Sequence, residues 1–118
     1  MLVVVFFVLS TIVLPLSAFA SAPVHVLTVD AAIEPTVAQY IETGIRRAER
    51  EGAAAVIIEL DTPGGLSTST TDIVKSMLNA RVPVIVYVYP VTARAASAGT
   101  FITLAANVAV MAPGTRIG

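Results

Sequence analysis

The chain has no cysteine and no tryptophan, a single histidine (His25) and a single lysine (Lys75). Without cysteine there are no disulfides, thiol nucleophiles or thiolate metal sites, and the redox compartment stays open. One histidine without cysteine also argues against a protein-built metal site, since those residues are the usual ligands of structural and catalytic zinc. No metal or other cofactor is expected. Charge is scarce too: charged residues are 13% of the chain and the net charge is −1. The seven cationic residues are scattered, so no basic patch offers itself to phosphates, and nucleic-acid binding is rejected. No Walker loop and no G-x-G-x-x-G occurs, which leaves nucleotide binding unsupported. Neither Asn79 nor Asn107 starts an N-x-S/T glycosylation acceptor. The lack of histidine and lysine narrows catalysis further, because a serine nucleophile commonly takes its base from one of these residues.

Apolar residues, by contrast, make up 56% of the 118 positions, above the usual share for a soluble domain. Part of the excess lies between Met1 and Leu16, which is apolar except at Ser10, Thr11 and Pro15. Ser17-Ala-Phe-Ala20 follows, and Ala18 and Ala20 fit the small-x-small pattern of a secretory cleavage site. The apolar run is shorter than the roughly 20 residues a spanning helix needs. No Lys or Arg precedes it, so the α-amino group supplies the only positive charge there. Residues 1–20 therefore read as a signal peptide or, if retained, an N-terminal membrane anchor. The rest is expected to be exported or membrane-associated on the extracytoplasmic side.

Residues 21–118 alternate between strand and helix patterns. Val24–Val29 is rich in β-branched residues and reads as a strand. A helix opens at Glu34-Pro35, with Val37, Ile41, Ile45 and Ala48 on one face and Gly52 as its stop. Ala53–Leu60 is apolar but for Glu59, as a strand buried on both faces would be. Ser67–Asp72 starts a second helix, Ser69 and Asp72 resembling a capping box, and Ile73, Val74, Met77 and Leu78 form its inner face. Val84–Tyr89 is the next strand, Ala95–Ala106 a helix of small residues, and Asn107–Met111 a last strand. Such alternation implies an α/β domain with a mainly parallel sheet. The strands run into Pro63, Pro90 and Pro113, so their C-terminal ends should open onto one edge, where open α/β sheets bind ligands.

Ser97 is the leading candidate residue. It lies in Arg94-Ala-Ala-Ser-Ala-Gly-Thr100, between a buried strand and a helix. One reading is a helix N-cap, a position serine favours. The other is a nucleophile: Ala95, Ala96, Ala98 and Gly99 clear bulk from the hydroxyl, and the helix N-terminus favours negative charge beside it. Leu60-Asp-Thr-Pro-Gly-Gly65 ends an equivalent strand. Its glycines are either an ordinary tight turn or an oxyanion site in which the N–H of Gly65 joins that of Ala98. An extended segment after Gly65, through Leu66, is expected to pair with a peptide as an added strand. No base is evident. Lys75 belongs on a solvated helix face, with an ordinary pKa of about 10.4 to overcome, and His25 has no evident acid partner. Asp61 is read as shaping its turn, because an inserted proline and the lack of a second copy break any likeness to an aspartic protease. Arg94 is read as solvated, with substrate contact as the alternative.

Four motifs then occur in order: Asp-Thr-Pro-Gly-Gly-Leu, Val-Pro-Val-Ile-Val-Tyr-Val-Tyr-Pro, Ala-Arg-Ala-Ala-Ser-Ala-Gly-Thr and Met-Ala-Pro-Gly-Thr-Arg-Ile-Gly. Together they resemble the membrane-associated NfeD-type serine proteases, in the Clp protease and signal peptide peptidase A class. The resemblance runs from about Val24 to Gly118. It implies a ClpP/crotonase fold of repeated ββα/βαβ units, of which residues 21–118 form the N-terminal part of the protease domain. It further implies an endopeptidase with Ser97 as nucleophile, Gly64, Gly65 and Ala98 at the oxyanion hole and a lysine as general base. The substrates implied are apolar peptide segments, including the hydrophobic tail of a stomatin-like membrane protein, and a homo-oligomer is expected. In the family that lysine lies downstream of the last motif, so the 118-residue form is expected to be inactive alone. Two rivals stand: a catalytically inactive membrane-partner module of the same fold, and a crotonase-like acyl-CoA enzyme, against which an export signal argues because CoA is cytosolic.

Overall fold

A computed structural model describes residues 21–118; the signal or anchor expected at residues 1–20 lies outside them. Strands β1 (Val24–Asp30), β2 (Ala55–Asp61), β3 (Val84–Val88) and β5 (Val108–Met111) form one parallel sheet in the order β1-β2-β3-β5. Helices α1 (Pro35–Arg50), α2 (Ser67–Leu78) and α3 (Ala98–Leu104) make the crossovers. The two-residue strands β4 (Arg94–Ala95) and β6 (Arg116–Ile117) pair in a small second sheet.

This order explains the core. Parallel crossovers are almost always right-handed, so strands laid down side by side in one direction send every connecting helix to the same face. That face carries Leu27 and Val29 beside Ile58 and Leu60, then Val86 and Val88, in matched register, all buried. Against it α1 sets Ala38, Ile41, Ile45 and Ala48, α2 sets Ile73 and Met77, and α3 sets Ile102. Fully burying each large aliphatic chain contributes about 1.5–3 kcal/mol before entropy is counted.

Among the described residues no helix covers the opposite face. Val26, Val108 and Val110 are exposed there, and Ile57, Glu59, Ile85 and Tyr87 are half-buried. The expectation that the second strand is buried on both faces is thereby corrected: β2 alternates between buried and half-buried residues because one-directional winding covers one side. Other expectations shift by local geometry. The third helix is shorter than Ala95–Ala106, because Arg94 and Ala95 are drawn into β4. Ser69 and Asp72 form no capping box: α2 already starts at Ser67, its N-cap position is Leu66, and Ser69 is buried inside the helix. On α1, Ala38 is the buried member of the first turn and Val37 is half-buried. Gly52 does follow α1, in the left-handed region at φ 65°.

Candidate active site

All four main strands run the same way, so the segments after β2 and β3 emerge at one edge of the sheet and meet there. The β2 segment continues past Asp61 as Thr62-Pro63-Gly64-Gly65. Gly64 has φ 114°, a region closed to residues with a side chain, and a Cβ built on it would stand 2.9 Å from the Cβ of Ser97 and 3.4 Å from its Oγ. Gly65 is glycine for a different reason: a Cβ there would fall 2.1 Å from the carbonyl oxygen of Ile33. The close approach is a one-residue parallel bridge, in which the Ile33 N–H donates to the Gly64 carbonyl (2.8 Å) and the Leu66 N–H donates to the Ile33 carbonyl (2.8 Å). These bonds use the groups on one side of the loop. The Gly65 N–H, on the other side, has no acceptor among the described residues.

Ser97 immediately precedes α3 and is exposed. Its backbone sits at φ 50° and ψ −111°, a conformation serine rarely adopts, and its hydroxyl makes no cap bond to the helix. Serine as an N-cap normally takes an extended conformation and accepts a bond from the second or third helical N–H. Ser97 does neither, which removes the bland reading of this residue. A sharp, strained turn between a strand and a helix is also how hydrolases of another fold hold a serine hydroxyl clear of the backbone. As the first residue of α3, Ala98 has no acceptor within its helix for its N–H. The carbonyl four residues back, on Arg94, already accepts from Thr62 at 2.7 Å.

A groove of about 580 Å³ opens at this point, lined on one wall by Thr70, Thr71, Val74 and Lys75 of α2 and on the other by Ala98 and Phe101 of α3. Ser97 and Gly65 also line it. A hydroxyl and two N–H groups without hydrogen-bond partners among the described residues thus belong to residues lining one partly apolar groove. The arrangement suits a nucleophile attacking a carbonyl whose oxygen is received by backbone donors.

Residues 23–118 match the family described as NfeD1b, N-terminal domain. The chain belongs to that family. Over 71 residues this NfeD1b-type domain is 54% identical to the membrane-bound protease PH1510 of Pyrococcus horikoshii, covering 60% of the chain and 16% of that protein. Over 113 residues it is 34% identical to the membrane protein NfeD1b of Bacillus subtilis, covering 95% of the chain and 25% of that protein. Among solved structures it resembles a serine-to-alanine mutant of the 1510-N membrane-bound stomatin-specific protease, with a TM-score of 0.82 and 42% identity over 84% of this chain and 48% of the other. A lysine-to-alanine mutant of 1510-N in complex with a substrate peptide scores 0.81 at 43% identity, over 84% of this chain and 45% of that one. ClpP1 of Listeria monocytogenes, at 22% identity and a TM-score of 0.68 over 79% of this chain and 54% of its own, shares the fold. The NfeD1b-type domain therefore has a ClpP-like α/β fold, and it spans about half the length of the solved chains it matches.

Within this domain the predicted residues separate into two groups. Ser97, Gly64, Gly65 and Ala98 come together at one edge. Leu66 does not join them: its side chain is exposed and does not line the groove, and its N–H and carbonyl are taken by Ile33 and by Thr70. The extended segment expected after Gly65 is absent, because α2 starts at Ser67 and only Gly65 keeps a free edge. His25 is at the opposite, N-terminal edge of the sheet, where its Nε2 stands 2.9 Å from Glu51. It thus has an acidic partner, but one remote from Ser97. Lys75 is exposed as expected, yet it lines the groove wall on α2. Asp61, expected to shape its own turn, instead ties two segments together: its Oδ1 accepts the Arg94 N–H at 3.0 Å. Thr62, to which no sequence motif assigns a role, is wholly buried between the two segments, and nothing in its local sequence signals that burial.

Proposed function

We propose that this domain is the nucleophile-bearing part of a membrane-associated serine endopeptidase. Ser97 attacks the scissile carbonyl, and the N–H groups of Gly65 and Ala98 receive the oxyanion. A lysine from protein outside residues 1–118 serves as general base. The observation that carries this reading is the uncapped, strained Ser97 beside the glycine loop, both lining one groove. Attack forms a bond from Oγ to the carbonyl carbon while the base takes the hydroxyl proton. The base then returns that proton to the departing amine, leaving an acyl-enzyme for water to hydrolyse. Negative charge on the carbonyl oxygen falls beside the first turn of α3, which favours it.

The 1510-N structures support this assignment: they are of a membrane-bound stomatin-specific protease, one a serine-to-alanine mutant and one a lysine-to-alanine mutant in complex with a substrate peptide. They favour a stomatin-like membrane protein as substrate, cut in an apolar segment, and the membrane-bound relatives favour a membrane-associated setting; the extracytoplasmic side rests on reading residues 1–20 as signal or anchor. Val74 and Phe101 in the groove fit an apolar side chain. Self-association as a homo-oligomer belongs to the same proposal. The test is labelling by a fluorophosphonate probe of full-length protein, meaning residues 1–118 together with the downstream segment proposed to carry the lysine, of residues 21–118 and of full-length Ser97→Ala. Labelling is expected in the full-length protein alone. Equal labelling of the short form would overturn the external base, and labelling unaffected by Ser97→Ala would overturn the nucleophile.

A further inference from the structure

Thr62 joins the two halves of the candidate site, and we infer that it is the positioning residue that sets the glycine loop in register with Ser97. The inference rests on the protease reading above. Its backbone holds the serine side: the Thr62 N–H donates to the Arg94 carbonyl at 2.7 Å, and its carbonyl accepts from the Ala96 N–H at 3.1 Å, closing a parallel bridge to Ala95. The segment that enters the Ser97 turn is therefore laid directly along Thr62. Its side chain holds the glycine side. Thr62 Oγ1 accepts from the Gly64 N–H at 3.2 Å and donates to the Gly64 carbonyl at 3.3 Å. Its methyl group points at α3, 2.7 Å from where a Cβ on Gly99 would be.

Both sets of bonds act inside the protein. Thr62 is wholly buried and Gly64 is buried, so water cannot replace the hydroxyl. The Ile33 bridge restrains the outer side of the loop through Gly64 and Leu66, while the hydroxyl restrains its inner side against Ser97. With that hydroxyl gone, Gly64 keeps its bond to Ile33 but loses its tie to the residue that carries the serine turn. The Gly65 N–H, one residue on, then drifts relative to Oγ of Ser97. Proline at position 63 sharpens this dependence, since it has no N–H with which to hold the loop from within. Thr62 touches no reacting atom, so its effect belongs in the rate of the chemical step and not in binding.

The experiment measures inactivation of full-length protein by a fluorophosphonate probe, resolved into the limiting rate kinact and the half-saturating concentration KI, for wild type, Ser97→Ala, Thr62→Val and Thr62→Ser. Valine keeps the shape and removes the hydroxyl; serine keeps the hydroxyl and removes the methyl. Thr62→Val is expected to lower kinact about 10- to 100-fold with KI unchanged within about threefold, as a misplaced donor should. Thr62→Ser is expected to stay within about threefold of wild type in both constants. Unchanged kinact in Thr62→Val, or an equal fall in Thr62→Ser, overturns the inference while leaving the protease reading intact. A wild type whose labelling does not depend on Ser97 overturns the protease reading and this inference with it. Should Thr62→Val not fold, Thr62→Ala, which also lacks the hydroxyl, is measured in its place, with the same fall in kinact expected and an unchanged kinact overturning the inference.

Discussion

Replacing Ser97 by alanine and by glycine separates backbone strain from chemistry. At φ 50° and ψ −111°, residue 97 occupies a region that costs a residue with a side chain about 1–3 kcal/mol, and glycine escapes that cost. Glycine also gives the unfolded chain more freedom, which costs about 0.4–1 kcal/mol relative to alanine. The difference at mid-range leaves Ser97→Gly more stable than Ser97→Ala by about 1 kcal/mol. For a domain of this size that corresponds to a Tm higher by about 4–8 °C. Urea unfolding of the two variants, compared at equal m-values, measures the same difference. Neither variant retains a hydroxyl, so both lose fluorophosphonate labelling, and the gain in stability is bought with the chemistry. If Ser97→Gly unfolds at the same urea concentration as Ser97→Ala or lower, the turn stores no strain, and the argument that the fold holds this hydroxyl out against a backbone preference fails.

Gly64→Ala should destabilise the domain by about 1–3 kcal/mol, because it forces a side chain into φ 114° and against Ser97; chemical denaturation measures it, and Gly52→Ala, which meets nothing within 4 Å, is the control for left-handed strain without the contact. Lys75→Ala should leave kinact in full-length protein within about threefold; a fall of about 100-fold or more would make Lys75 the base in place of an external lysine. His25→Gln should likewise leave labelling unchanged, since His25 lies at the far edge of the sheet. The Arg47 guanidinium, through its hydrogen bond and then its charge, holds the Glu51 carboxyl below its ordinary range, with His25 adding to the effect and desolvation opposing it. A depressed carboxylate stabilises the fold above its unfolded pKa of about 4.3 and loses that contribution as pH falls through the folded value. Glu51→Gln should therefore flatten the acid limb of the stability–pH curve and leave the curve above pH 6 nearly parallel to wild type. An unchanged acid limb would show that this exposed cluster carries nothing measurable.

Much of the fold is legible in local pattern. The strands at β1, β2 and β3 are short runs of Val and Ile, and α1 shows its inner face through Ile41, Ile45 and Ala48, because periodicity records directly which side of an element leaves water. Glycine at 64 and 65 and small residues around Ser97 are likewise readable, as each reports crowding or a backbone angle at its own position. Boundaries were less so. Ala95 looks helical until β6, more than twenty residues later, supplies a partner. Leu66 looks like an extended peptide-binding position until Ile33 claims its N–H and α2 begins directly after it.

What the order of residues decided alone was therefore local: which segments are strands and helices, that a serine and two glycines end neighbouring strand units, and that cysteine, metal and phosphate chemistry lack their usual residues. Only the tertiary structure decided that Gly64 lies against Ser97, that Thr62 joins the two, that His25 is on the wrong edge and that, among the described residues, the helices cover one sheet face alone. These are relations between residues some 30 or more positions apart, or between all strands at once. They follow from parallel pairing and the common hand of the crossovers, which no window along the chain contains.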